Sequence, residues 1–255
     1  MKSIFSLTGR TALITGASSG LGWHFAKVLA TAGAAIVATA RRQDRITALI
    51  AEIAEIGGTA CAIAMDVTDP ASVADTFDAA QKQGFYPDIV VNNAGITISK
   101  SLLKQTTADW DTVISTNLKG NWLVATEAAR RWVDANRPGV IVNIASIVGA
   151  RVTGGAAPYV ISKAGVIQAT KTMALELARH EIRVNALLPG YIVTDLNRDF
   201  IVSEAGEKLR LRIPSRKFCQ LDDLDGPLLL LASDAGRAIS GACLAVDRGH
   251  LVSGL

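Results

Sequence analysis

A glycine-rich turn between an apolar strand and a helix constrains this chain more than any other feature. Thr11-Ala12-Leu13-Ile14 reads as a buried strand and Trp23 to Ala32 as a helix, with Thr15-Gly16-Ala17-Ser18-Ser19-Gly20-Leu21-Gly22 joining them. Glycines at such a turn let the backbone approach a bound group closely. The first helical turn then offers free N–H groups and the positive end of the helix dipole, which together suit a phosphate. The spacing is G-x-x-x-G-x-G rather than G-x-G-x-x-G, so an ordinary tight strand-to-helix connection stays open as an alternative at this point.

The rest of the chain repeats the same unit. Strand-like runs begin near Arg10, Ala34, Thr59, Asp88, Gly139, Ile182 and Ala242, and helix-length segments separate them. Ile46, Leu49, Ile50, Ile53 and Ile56 follow helical spacing, and Asp69-Pro70 is a helix start with a cap and a proline at the first position. Ile89-Val90-Val91 and Gly139-Val140-Ile141-Val142 are apolar throughout, as in strands covered on both faces. This alternation predicts an α/β fold: one doubly wound, Rossmann-type domain over residues 1–255, with a seven-stranded parallel sheet and helices on both faces. The long interval between Pro189-Gly190 and Leu224 mixes charged and apolar residues. It reads as a small lid after the sixth strand, about residues 195–215, over the carboxyl edge of the sheet; a plain surface excursion is the other reading.

Composition narrows the function classes. Apolar residues make up 49% of the 255 residues and mean hydropathy is +0.30, enough for a large core. No run reaches the ~18–20 apolar residues of a membrane span, and no signal-peptide core precedes the first strand. The net charge is +3, with Lys and Arg scattered rather than striped, which argues against a nucleic-acid partner. Cys61, Cys219 and Cys243 are odd in number and unclustered, as in a reduced cytoplasmic protein. His24, His180 and His250 are far apart without paired carboxylates, so no metal site is expected, and His24 beside Trp23 reads as a partly exposed helix residue.

Three residues carry candidate chemistry. Tyr159 and Lys163 lie at i and i+4 of a helix-like segment and share a face. An ammonium beside the phenol is expected to lower the tyrosine pKa and make it a general acid/base; a surface pair sharing a helix face is the alternative. Ser146 ends the strand Val140 to Ala145, where its hydroxyl can reach a ligand crevice, or cap a turn.

These pieces, with Asp66 after the third strand, Asn92-Asn93-Ala94-Gly95, Asn117 and Pro189-Gly190-x3-Thr194, resemble the short-chain dehydrogenase/reductase family in order and spacing over essentially the full length. The resemblance implies a catalytic set of Asn117, Ser146, Tyr159 and Lys163. Tyr159 would exchange a proton with the substrate oxygen and Ser146 would hold that oxygen. Lys163 would bind the nicotinamide ribose, and Asn117 would position a water in a proton relay. It further implies cofactor contacts from Gly16, Ser18, Ser19, Gly20, Leu21 and Gly22, from Asp66 and Val67 at the adenine, from Asn93, Ala94 and Gly95, and from Pro189, Gly190, Ile192 and Thr194. Such proteins often carry glycine where Arg248 stands, so a turn or subunit contact is expected to differ there.

The second strand ends at Ala40-Arg41-Arg42. An acidic side chain for a ribose 2′-hydroxyl is missing, and two guanidinium groups stand at the start of the next helix, where cations are disfavoured without an anion. The expectation is NADP(H) rather than NAD(H), with Arg41 as main contact and Arg42 as second; solvated arginines beside Asp44 are the alternative. The expected reaction is ketone–secondary alcohol interconversion, with 3-oxoacyl-thioester reduction or sugar/polyol oxidation as runners-up and a silent dinucleotide-binding protein as a remote one. The substrate pocket is expected from Ile96, Val148, Thr153, Tyr191 and Leu196, whose surroundings favour a hydrophobic ketone. Two long helices, roughly Ala108 to Val133 and Pro158 to His180, carry small residues (Ala125, Ala128, Ala129, Ala164, Ala169) that suggest a homotetramer.

Overall fold

The computed structural model describes residues 3–193 and 198–254. Seven strands, β1 (Thr11–Thr15), β2 (Ala35–Ala40), β3 (Ala60–Ala64), β4 (Ile89–Asn92), β5 (Gly139–Ile144), β6 (Ile182–Pro189) and β7 (Cys243–Val246), form one sheet in the order β3-β2-β1-β4-β5-β6-β7. Every pairing is parallel, with Leu13 beside Val37 on one side and Val90 on the other. All seven strand starts fall within a residue of the sequence expectation.

Strand apolarity is explained by the two faces of the sheet. Ala12, Ile14, Ile36, Ala38, Ile89, Val91, Val140 and Val142 point into one core, completed by α1 (Gly20–Thr31), α2 (Gln43–Glu55) and α9 (Asp225–Ala232). The alternate residues Leu13, Val37, Val90 and Ile141 point into the other, against α3 (Pro70–Lys82), α5 (Gly120–Asp134) and α6 (Ala157–Leu177). α3 starts as expected, with the Asp69 carboxylate accepting from Ala71 N at 3.0 Å.

Two expectations need correction. The helix expected over Ala108 to Val133 is α4 (Thr107–Ile114) followed by a π-helical turn at Ser115–Lys119 and then α5. Such turns place one residue out of helical register, here around Asn117. In addition, Ala125, Ala128 and Ala129 are buried against the sheet, so they pack inside the monomer and cannot form a subunit face; Ala164 is exposed. The lid interval holds α7 (Arg198–Ile201) and α8 (Glu204–Arg210), while Asp195, Leu196 and Thr194 lie outside the described residues. Arg248 does take a turn conformation that favours glycine, at φ 56°, and its guanidinium ties the turn to Asp223 at 2.6 Å. Among the described residues no helix is long and apolar enough to cross a membrane.

The chain runs outward from β1 to β3, then returns to place β4 on the other side of β1. The connections after β1 and β4 therefore diverge at the carboxyl edge and leave a crevice between them, which is where such sheets bind ligands.

Candidate active site

The glycine turn is held open by β4. Asn93 donates from Nδ2 to the carbonyls of Thr15 (2.9 Å) and Gly16 (3.2 Å), while Thr15 Oγ1 accepts from the backbone of Asn93 and Ala94 at 2.9 Å each. Gly16 has φ +66°, and a Cβ there would lie 2.9 Å from Ala94 Cα. Gly22 has an ordinary φ, but a Cβ would meet the Gly16 carbonyl at 2.4 Å. The two glycines are thus required for different reasons, conformation and close approach. Ser19 precedes α1 without a side-chain capping bond, and the first turn has no acidic residue, so the N–H groups and positive dipole end face the crevice uncompensated.

From this turn a cleft of about 1350 Å³ runs across the sheet edge. Its walls include Gly16, Ser18, Ser19, Gly20, Leu21, Arg41, Arg42, Asp66, Val67, Asn93, Ala94, Gly95, Ile96, Ser146, Val148, Thr153, Tyr159, Lys163, Pro189, Gly190, Tyr191 and Ile192. Of the expected site residues, Gly22 sits behind the turn and Asn117 behind Ile96, and Thr194 and Leu196 lie outside the described residues. Met65, Ser99 and Thr116 also line the cleft and were missed, having no pattern of their own.

Ser146, Tyr159 and Lys163 meet at one point. β5 delivers Ser146, whose Oγ accepts from Val148 N at 3.3 Å. α6 presents Tyr159 and Lys163 on one face, with the lysine Nζ 5.7 Å from the phenol ring centroid. Lys163 is buried and donates to the Ile144 carbonyl at 2.7 Å; burial brings its pKa down to about 8. The Tyr159 pKa is raised, contrary to the sequence expectation. Burial disfavours the phenolate more than the nearby Ser146 hydroxyl favours it, and Tyr191 adds to the rise. The lysine ammonium is engaged with the Ile144 carbonyl and lies 5.7 Å from the phenol ring centroid.

Asn117 is fixed by its side chain. Its Nδ2 donates to the Ile96 carbonyl (2.9 Å) and Ser162 Oγ (3.0 Å), and its Oδ1 accepts from Ile96 N at 2.8 Å. Both amide hydrogens are used, and the side chain clamps the Ile96 loop to α6. Ser162 passes the link on by donating to the Tyr159 carbonyl at 2.7 Å.

At the other end of the cleft, β2 finishes at the buried Ala40, followed by the exposed Arg41 and Arg42. Arg42 reaches Ser18 Oγ at 3.4 Å, and Arg41 is one of the groups that lower the Asp66 pKa, after the stronger pull of the Thr68 backbone bond. Neither arginine forms an ion pair with Asp44 among the described residues.

A second chamber of about 710 Å³ opens off the cleft and shares Ile147, Val148, Thr153 and Tyr191 with it. The end of α8 and the segment after it contribute Leu209, Leu211, Arg212, Ile213, Pro214 and Arg216, and Arg151, Val152, His250, Ser253 and Gly254 also line it. Apolar residues line the chamber, and three arginines share it. Away from both cavities, His24 Nε2 meets Asp225 at 2.6 Å, a partnership that sequence spacing does not show.

Comparisons with known proteins find relatives over nearly the whole chain. A family profile described as enoyl-(acyl carrier protein) reductase matches residues 16–250. A 3-oxoacyl-(acyl-carrier-protein) reductase of Thermotoga maritima is 35% identical over 246 residues, covering 96% of this chain and 99% of that protein. A gluconate 5-dehydrogenase of Gluconobacter oxydans is 35% identical over 251 residues, 98% of each chain. The crystal structure of a gluconate 5-dehydrogenase from Burkholderia cenocepacia, in complex with NADP and tartrate, superposes with a TM-score of 0.93 at 35% identity over 98% of each chain.

Proposed function

Because the chain belongs to the short-chain dehydrogenase/reductase family, we propose that it is an NADP(H)-dependent oxidoreductase interconverting a ketone and a secondary alcohol, a carbonyl reductase. The observation that carries the reading is the convergence of Ser146, Tyr159 and Lys163 in the cleft that starts at the glycine turn. Relatives named for 3-oxoacyl reduction and for gluconate oxidation differ in substrate, yet both names describe chemistry at C=O/CH–OH.

The cleft fits a dinucleotide phosphate by its own geometry. The uncapped α1 N-terminus and the Gly22 position, where any Cβ would strike the Gly16 carbonyl, keep the turn open. Arg41 and Arg42, with no acidic side chain at Ala40, support a 2′-phosphate contact. When bound, NADPH supplies the hydride. The protein supplies orientation and a proton. Tyr159, protonated at neutral pH, donates its hydroxyl proton to the ketone oxygen during reduction, and as the phenolate takes one from the alcohol during oxidation. Ser146 donates a hydrogen bond to the same oxygen and polarises the carbonyl. Asn117 is a positioning residue that holds Ile96 and, through Ser162, the backbone of Tyr159.

The cofactor assignment is tested by Arg41→Ala. The Michaelis constant for NADPH is expected to rise at least about tenfold, the scale of a lost charge-assisted contact, while that for NADH stays within about twofold. Equal effects on both cofactors, or a wild type that prefers NADH, would overturn the assignment.

The same reading includes a lid from about residue 195 to 215, a homotetramer and a cytoplasmic location. The unpaired Cys61, Cys219 and Cys243 support reducing surroundings. Trp110 on α4, Trp122 on α5 and Ile161 on α6 are each between 41% and 47% exposed, and these apolar side chains replace the buried alanines as candidates for subunit contact. Light scattering at micromolar protein is expected to give the tetramer mass, and a monomer peak would remove this element.

A further inference from the structure

The outer chamber has a charge pattern that ketone reduction by itself does not require. Arg151 and Arg212 both line it, one from the segment after β5 and one from the segment after α8. Among the described residues, no Asp or Glu lines the chamber. Arg151 is oriented rather than neutralised: Nη1 donates to Ser253 Oγ at 2.6 Å and to the His250 carbonyl, both uncharged acceptors. Its Nε and Nη2 have no partner among the described residues, leaving free the guanidinium edge that matches two anionic oxygens. Arg212 makes neither a side-chain hydrogen bond nor an ion pair among the described residues. The carboxylate that acts on neighbouring His250, Asp247, is spent on the backbone N–H groups of Gly249 and Leu251. His250 is held toward its neutral form, first by burial and then by the two arginines, and its buried Nδ1 has no partner. Like charges converging on one cavity repel each other, and an anion placed between them relieves that cost.

We propose that the substrate carries a carboxylate, gripped by Arg151 and Arg212 in the outer chamber, while its carbonyl lies against Tyr159 and Ser146 in the cleft. The substrate class is an oxo acid and the corresponding hydroxy acid. This inference rests on the oxidoreductase reading above. The continuous wall of Val148, Thr153 and Tyr191 lets one molecule span both cavities. The anion then selects the substrate by its far end, and the apolar lining packs the chain between.

The test uses a series of straight-chain oxo acids in which the carbonyl moves along the chain, each paired with its primary amide and with a keto phosphate ester. In the wild type with NADPH, kcat/KM for the best acid is expected to exceed that for its amide at least about tenfold, mainly through KM, as for a hydrogen-bonded charged group. Arg212→Gln and Arg151→Gln should each bring the acid-to-amide ratio to within about threefold of one, and the exposed Arg137→Gln should leave it unchanged. As a readout free of turnover, pentanoate should raise the melting temperature of the NADP⁺-loaded wild type, pentanamide should not, and Arg212→Gln should lose the shift. Acids and amides turned over equally, or an unchanged ratio in Arg212→Gln, would overturn the anion site and leave the oxidoreductase reading standing. A preference for the phosphate ester would overturn the carboxylate. Stabilisation by pentanoate without NADPH oxidation by any carbonyl compound would instead overturn the oxidoreductase reading and keep the site.

Discussion

Replacing Tyr159 by phenylalanine is expected to lower turnover by at least about 10³-fold, with the Kd for NADPH within about twofold of wild type. A positioned general acid contributes roughly 10²–10⁴-fold, and the same hydroxyl also polarises the carbonyl. The ring stays, so packing beside Lys163 and Tyr191 is kept, and the cofactor-facing turn is remote from the lost oxygen. Because the Tyr159 pKa is raised, the phenol is protonated throughout the neutral range. Reduction needs that proton, so kcat/KM for the ketone should be flat through neutral pH and fall as pH climbs past the raised value. Oxidation needs the phenolate and should rise over the same range. Retention of more than a tenth of wild-type turnover in Tyr159→Phe would remove the tyrosine from its assigned role.

Lys163→Met should abolish measurable turnover and at the same time make the protein more stable. The lysine is 5% exposed, and burial lowers its pKa from 10.5 to about 8. At 1.36 kcal/mol per pH unit, holding the ammonium in the native state at neutral pH costs about 3 kcal/mol. Losing the bond to the Ile144 carbonyl returns about 1 kcal/mol of that, leaving a net gain of about 2 kcal/mol for a methionine of similar length. The sign follows from proton binding. Between about pH 8 and 10.5 the unfolded chain holds a proton that the native lysine has released, so wild-type stability from this group rises with pH through that window. The variant lacks the rise, and its advantage should shrink from pH 7 toward pH 10 in denaturant titrations. An equal or lower stability at neutral pH would show that the lysine is not held at a cost for function.

Much of the site is local in sequence, which is why it is readable there. The glycine turn, the end of β2 at Ala40-Arg41-Arg42 and the Tyr159–Lys163 face each lie within one strand-to-helix step, where backbone sterics and helical periodicity tie residue spacing to geometry. The strand starts are legible for the same reason, since strands covered on both faces must be apolar at every position, as Val90 and Ile141 show. Expectations failed where a property depends on residues distant in the chain. The direction of the Tyr159 pKa is set chiefly by burial, with Tyr191 adding to the rise. The π-turn at Asn117 is held by Ile96 and Ser162. The alanines of α5 face inward because the sheet lies on that side. The arginines of the outer chamber, Arg151 and Arg212, have no sequence pattern linking them, and only the fold brings both to one cavity. The sequence by itself determined the sheet and its ligand edge, because these follow from periodicity and short spacing, while the reaction class came from the resemblance of its motifs to a known family. The tertiary structure decided ionisation, the positioning contacts and the charge of the outer chamber, because desolvation and Coulomb interaction depend on what the whole fold brings near.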